Sequence, residues 1–223
     1  VLFSTNIKPV HMWASKIQDP FTIIPGSVYD DAPIEYELLV ENVDAFNWVH
    51  TLDRIYLLGS QGEFSVGSAD VALTPTSVEF SRISSLGGSP VAPTSVESSI
   101  LFVSFTGQQV FSVQFDFQRQ GFVSRNISQT APHLFWSGIV SMSYRPPVES
   151  DFSPRLFTVL SSGEVRVCSI IETEEVLAWH RMTPPDGFVF NSVVATSGGA
   201  FFSMLTESGQ LVIAGLQFPT EEQ

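Results

Sequence analysis

The residues of this chain that could do chemistry are few, and the densest group is acidic. Carboxylates crowd the segment Tyr29-Asp30-Asp31-Ala32-Pro33-Ile34-Glu35-Tyr36-Glu37, and a shorter run stands at Glu172-Thr173-Glu174-Glu175. Neighbouring carboxylates can run acid–base chemistry on a glycosidic bond or hold calcium. The calcium-loop spacing D-x-(D/N)-x-(D/N)-G is absent. On a strand, Glu35 and Glu37 share one face and Tyr36 takes the other, because successive side chains alternate. That reads as a solvated strand edge, and the second acidic run as a hairpin tip. If the chain were a hydrolase, Asp31, Glu35 and Asp151 would be the first suspects, and they would have to come within about 10 Å of one another.

The other reactive side chains offer less. His11, His50, His133 and His180 are not at ligand spacing, and H-E-x-x-H is absent. His133 follows Pro132 in a loop and His180 follows Trp179 at a strand end, so both read as structural or surface imidazoles. Gly59-Ser60-Gln61-Gly62 approaches a nucleophile elbow only in composition and reads as a hairpin turn. No Walker loop or dinucleotide fingerprint occurs. Asn126-Ile127-Ser128 fits the glycosylation triplet, which reads as chance where no signal-peptide pattern is visible. Cys168 is the one cysteine, so an intrachain disulfide is impossible, and its apolar neighbours make it a buried structural thiol. Trp13, Trp48, Trp136 and Trp179 flank apolar strand residues and are expected in the core, although stacking on carbohydrate is the alternative. No catalytic, cofactor-binding or metal-binding set emerges, and the chain is expected not to be an enzyme.

The elements around these residues are almost all strands. A weak helical signal covers Ser128–Ser137; elsewhere short β-branched and aromatic runs are punctuated by Gly, Pro, Ser and Asn. Four hairpins repeat one plan, an apolar strand, a polar turn with a glycine, and a second apolar strand. They cover 55–66, 100–113, 156–167 and 201–213, with turn glycines at Gly62, Gly107, Gly163 and Gly209. Glycine supplies the positive φ that tight hairpins demand. A weaker fifth hairpin flanks Thr5–Pro9. Units of some 45–55 residues with several strands each are the mark of a β-propeller. The near-continuous apolar run Ile100–Phe105 predicts burial on both faces, as stacked blades require. The expected fold is therefore all-β and β-propeller-like, with about five blade-like units, closed or left incomplete and open, in a single domain over 1–223. The loosest stretch, Ser84–Ser99, reads as an exposed contact loop. The apolar start and polar end suggest a piece of a longer chain.

Composition narrows the partners. Ten Lys+Arg against 23 Asp+Glu give a net charge of −13, which opposes a grip on nucleic acid or on an anionic membrane. Charged residues are 15% of the chain, below the roughly 25% of ordinary domains, so much of the surface is expected to pack on partners. No apolar stretch reaches the length of a membrane helix.

Several segments, taken in order, carry a resemblance. Met12-Trp13-Ala14-Ser15-Lys16 with Asp19-Pro20-Phe21 resembles a W-A-S-(R/K)…F signature. Asp30–Tyr36 resembles D-D-x-I-x-(Y/F). Ile55–Phe64, after Trp48-Val49 and Leu52, resembles L-x-I-x-T-x-G-x-E-(W/F). Leu73-Thr74-Pro75-Thr76-Ser77 follows L-T-P-x-(N/D/S), and Val103–Val113 resembles F-V-x-x-G-x-x-V. Phe117–Phe122, Thr130–Leu134 and Val176–Arg181 resemble Y-x-F-x-x-D-G-(Y/F), L-A-x-H-L and V-x-A-W-x-R. The set spans nearly all of 1–200 and is similar to the tail hub or nozzle proteins of short-tailed bacteriophages, the tail tubular protein B family. The chain departs from it in lacking Asp at Gln120-Gly121-Phe122 and in carrying Ser60 for the common Thr. The resemblance implies a non-enzymatic virion structural protein and a homo-oligomeric ring around the genome ejection channel. It implies portal or adaptor proteins and tail fibres as neighbours, DNA only as passing cargo, no cofactor and no membrane insertion. The implied location is the virion tail, with the host cytoplasm during assembly. Two other readings stay open: a propeller scaffold for a ligand or peptide, and a propeller glycoside hydrolase.

Overall fold

The computed structural model describes residues 2–3, 8–26, 29–38, 45–51, 55–67, 72–119, 121–148, 154–171 and 176–216. They form 18 strands in five sheets, and in every sheet sequence neighbours lie side by side. The first sheet holds β1 (Leu2–Phe3), β2 (His11–Ala14) and β3 (Ile34–Glu37). The second holds β4 (Phe46–Thr51), β5 (Ile55–Gly59), β6 (Gly62–Val66) and β7 (Phe80–Ser84). The third holds β8 (Thr94–Val96), β9 (Ser99–Val103), β10 (Val110–Asp116) and β11 (Gly121–Asn126). The fourth holds β12 (Ile139–Arg145), β13 (Arg155–Leu160), β14 (Val165–Ile171) and β15 (Val176–Met182). The fifth holds β16 (Phe188–Thr196), β17 (Gly199–Thr206) and β18 (Leu211–Leu216). The chain is all-β, and its sheets are up-and-down meanders of the propeller-blade kind.

The predicted hairpins are the middle pair of each four-stranded sheet and the last two strands of the fifth. β5 pairs β6, β9 pairs β10, β13 pairs β14 and β17 pairs β18, all antiparallel. The fifth, weaker hairpin is β1 with β2. Four of the middle strands are covered on both faces: every described residue of β6 and β9 is buried, as is all of β5 and β13 but the first. Their sequences therefore run apolar without alternation. The outermost strands β7, β11 and β15 are mostly exposed or half-buried and carry the polar residues.

Three expectations are corrected. Gly107, Gly163 and Gly209 do take positive φ, of 75°, 79° and 79°, but Gly62 does not. It is needed for space: a Cβ there would meet the Phe64 ring at 2.9 Å. The helical signal at Ser128–Ser137 reduces to one 3-10 turn, Pro132–Leu134, started by Pro132 and too short to go on. Ser84–Ser99 is not a loose loop. It contains β8, and Gly87 and Gly88 press against the β5–β6 turn so closely that added Cβ atoms would lie 1.8 Å from the Ser60 carbonyl oxygen and 2.1 Å from Leu58. Asn47 and Trp48 of β4 secure it by donating to the carbonyls of Gly88 at 2.7 Å and Pro90 at 3.0 Å.

The chain divides into two compact units, Val1–Pro90 with Phe115–Val123, and Val91–Gln114 with Ser124–Gln223. In the first, Met12 and Leu38 pack on Phe46, Leu57, Phe64 and Val66, so the first sheet lies on the second. In the second, one core joins Leu101, Val103 and Val110 to Met142, Leu156 and Cys168, and another joins Phe157, Val159 and Val167 to Phe190, Val193 and Phe202. The third, fourth and fifth sheets thus stack in sequence order. A backbone hydrogen bond recurs where the first sheet meets the second, the third the fourth and the fourth the fifth: the carbonyl of Pro9, Gly107 or Gly163 accepts from the N–H of Phe46, Ile139 or Phe190 in the next sheet's first strand.

Candidate interaction surfaces

The acidic segment becomes β3 and the turn before it. Pairing of β2 with β3 sets Trp13 opposite Glu35 and His11 opposite Glu37, which puts the two glutamates on one exposed face as the alternation predicts. Lys8 Nζ lies 3.1 Å from Glu35 Oε1 and 5.7 Å above the Trp13 ring, and His11 stacks on Trp13. His11 Nδ1 is 3.4 Å from Glu35 and its Nε2 is 3.6 Å from Glu37. The Lys8 hydrogen bond, helped by the charges of Lys8 and His11, holds the Glu35 carboxyl below its usual range. Tyr36, on the other face, stacks on Phe80. Asp31 pairs with Lys16 at 3.1 Å. Each of the two described hydrolase suspects, Asp31 and Glu35, thus has a lysine as its ion-pair partner; Asp151 and the 172–175 run lie outside the described residues. Among the described residues no three His, Cys, Asp or Glu side chains are placed to hold a metal ion.

Between β2 and β3 the chain makes an ordered turn that displays apolar side chains. Lys16 N–H donates to the Thr22 carbonyl at 2.8 Å, and Ile17 N–H to that of Asp31 at 3.2 Å. Asp19 accepts from the Thr22 hydroxyl at 2.6 Å and from Phe21 N–H at 3.2 Å, which keeps its carboxyl below the usual range. These bonds leave Phe21 91% and Ile24 82% exposed. With Ile17 and Ile23 also exposed, the turn gathers four apolar side chains in one short segment, the kind of grouping that marks a candidate contact surface.

The buried polar groups are structural. Glu63 of β6 is fully buried and accepts from the Tyr56 hydroxyl at 2.7 Å and from the Ser84 hydroxyl. Burial, with Glu63 beside it, pushes the Tyr56 hydroxyl far above its ordinary pKa. Arg166 of β14, also buried, donates to the carbonyls of Leu134 at 3.1 Å and Val165 at 3.2 Å and to Glu164 at 2.7 Å, and so holds the Glu164 carboxyl below its usual range. Cys168 is fully buried as expected, and burial pushes its thiol up to about 12. Trp179 packs edge-on against Phe135 and donates to the Ile127 carbonyl at 3.0 Å. Of the four tryptophans expected in the core only Trp179 packs on one; Trp13 lies opposite the exposed Glu35, Trp48 is half-buried, and Trp136, just past the 3-10 turn, is exposed. His133 lies in that 3-10 turn, and His180 lies in β15, two residues before its last. The buried charges that sequence reasoning missed are Glu63, Arg145 and Arg166, which resemble ordinary surface charges until the fold covers them.

The fifth sheet is the other conspicuous surface. Ala200, Phe202 and Met204 point into the core, so Phe201 points outward with its register partner Val194, and Leu211 and Ile213 lie on that same outward side. All four are exposed.

No protein-family model and no curated protein matches the chain. Among solved structures, the β-propeller domain of Cps50 (Swd1) from Myceliophteria thermophila is similar at 7% identity, over 86% of this chain and 62% of that one, with a TM-score of 0.49. The WD40 domain of SCAP from fission yeast is similar at 12% identity, over 94% and 50%, with a TM-score of 0.45. The chain spans about half to three-fifths of the length of these two structures. Among the described residues no helix is long and apolar enough to cross a membrane.

Proposed function

We propose that this protein is a non-enzymatic scaffold built from propeller-type sheets, and that it serves as a subunit of the tail hub of a short-tailed bacteriophage. On this reading it forms a homo-oligomeric ring around the genome channel, meets portal or adaptor proteins and tail fibres, and passes from host cytoplasm into the virion. One observation carries the scaffold reading. The buried polar side chains described above are engaged in tying strands of one sheet to each other and to the 3-10 turn, while large apolar side chains such as Phe21 and Ile213 are held out to solvent. The ordered set of tail-hub-like segments supports the finer reading. The net charge of −13 suits a channel that must let DNA pass without holding it.

Native mass spectrometry with cryo-electron microscopy of the purified protein tests this. Closed rings of identical subunits with an axial channel are expected. A monomer at all concentrations would overturn the ring and leave a propeller module that binds one partner. The ordered Phe21 turn favours that second reading, because it displays its anchor without needing symmetry.

A further inference from the structure

From the ring of Trp136 and the turns around it, we infer a binding site for a neutral carbohydrate, a hexose unit of an oligosaccharide. Within the second unit three turns, 104–109, 135–138 and 161–164, are bonded to one another. Ile139 N–H donates to the Gly107 carbonyl and Ser161 N–H to that of Gly138, both at 2.8 Å, and the Ser161 hydroxyl donates to the Ser137 carbonyl. Trp136 stands in the second turn, 75% exposed, and its backbone is fixed on both sides. Gln108 Nε2 donates to its carbonyl at 2.9 Å, Gly138 closes the turn by donating to the Phe135 carbonyl at 2.9 Å, and Phe135 is buried against Trp179. The other three tryptophans have their indoles engaged by the protein. Trp48 and Trp179 donate to the carbonyls of Pro90 and Ile127, and Trp13 stacks with His11 and hydrogen-bonds Glu35. Among the described residues the Trp136 indole has no hydrogen-bond or stacking partner.

The groups beside the ring select the ligand. An aromatic face is apolar and electron-rich, so it takes the C–H face of a pyranose. Next to it the polar groups are set in order. The Ser137 hydroxyl donates to that of Ser162 at 3.3 Å, Ser162 donates to Glu164 Oε2 at 3.4 Å, and Arg166 holds that carboxylate at 2.7 Å. Hydroxyls and a carboxylate keep lone pairs that sugar hydroxyls can reach. The three turns contain no Lys or Arg, and Arg166 is buried, so an anionic ligand would find no counter-charge. An apolar platform with a few fixed polar groups is the composition of a small-molecule site. This one suits a ligand that is apolar on one face, hydroxylated at its edge and uncharged. Phe105, on the first turn and 58% exposed, adds a second aromatic surface.

The inference goes beyond the scaffold reading and does not depend on the ring. The probes are maltohexaose, cellohexaose and mannohexaose, with hexagalacturonate as the anionic control, each titrated to about 10 mM, the range of weak binding. Saturation-transfer NMR and calorimetry on the whole protein read the affinity. At least one neutral sugar is expected to bind and hexagalacturonate is not. Trp136→Ala should weaken binding by about tenfold or more, Trp136→Phe and Ser162→Ala by less, and Phe21→Ala not at all. All four residues are exposed, so the variants should fold, and circular dichroism checks this. On unaltered protein, the bound sugar should reduce quenching of tryptophan fluorescence by acrylamide. The inference is overturned if no neutral sugar binds, if hexagalacturonate binds as tightly, or if Trp136→Ala leaves the affinity unchanged. None of these outcomes alters the oligomeric state, so the ring stands or falls by native mass spectrometry alone.

Discussion

Replacing Tyr56 by Phe should remove one hydroxyl and expose how the second sheet is held. The hydroxyl donates at 2.7 Å to Glu63, and both side chains are essentially excluded from water. A hydrogen bond to a charged group contributes about 1.5–3 kcal/mol, and its loss leaves a buried carboxylate one donor short. With a urea dependence of about 2–3 kcal/mol/M for a chain of this size, the midpoint should fall by roughly 0.5–1.5 M. Glu63→Gln keeps an acceptor for Tyr56 and removes the buried charge, so it should cost less, since the desolvation of the carboxylate is lost with it. The pH dependence follows from the raised Tyr56 pKa. The unfolded tyrosine ionises near pH 10 while the folded one stays neutral, so this contribution is complete below about pH 10. Above that it falls by about 1.4 kcal/mol per pH unit, and Tyr56→Phe should abolish that part of the alkaline loss. Urea titrations followed by tryptophan fluorescence at neutral and alkaline pH measure both effects. A Tyr56→Phe protein within about 0.5 kcal/mol of wild type, with the same alkaline slope, would refute the buried donor–carboxylate pair.

Three further outcomes follow from the packing. Gly87→Ala sets a methyl group 1.8 Å from the Ser60 carbonyl oxygen, so the backbone must move; a loss of roughly 3 kcal/mol or more is expected in thermal melts. Arg166→Ala strips donors from two buried carbonyls and should cost about 2–4 kcal/mol, whereas Arg166→Lys should recover only part, because an ammonium cannot reproduce the guanidinium fork. The Cys168 thiol should resist Ellman's reagent in the native protein and react fully in denaturant. With its pKa raised to about 12, its contribution to stability is complete below the ordinary thiol value of about 8.5 and is lost as pH rises towards 12.

The hairpins were legible because their cause is local: a glycine that can take positive φ, as at Gly107 or Gly163, between two apolar runs. Burial of whole strands was legible for the same reason, since Ile100–Val103 offers no polar face to turn towards water. What depended on distant chain was not. Gly87 and Gly88 look like loop punctuation until the Ser60 turn lies against them. Glu63 stands in a strand that could have faced solvent, and the Ser84 hydroxyl that meets it is 21 residues away. The acidic segment was read correctly as a strand face, but its partners Lys8 and His11 come from across the β2–β3 pairing, which only register supplies.

The recurring bond between a turn carbonyl and the next sheet also sets an order in time. Each turn's partner N–H lies roughly thirty residues further along, so at about 5–20 residues per second the ribosome delivers it some 2–6 s after the turn itself. Until then each new sheet waits with one carbonyl open and one face wet, and the arrival of the next strand closes both together. Within each unit the sheets would thus be assembled in chain order, and a pause in translation between sheets would prolong the exposure of one apolar face at a time.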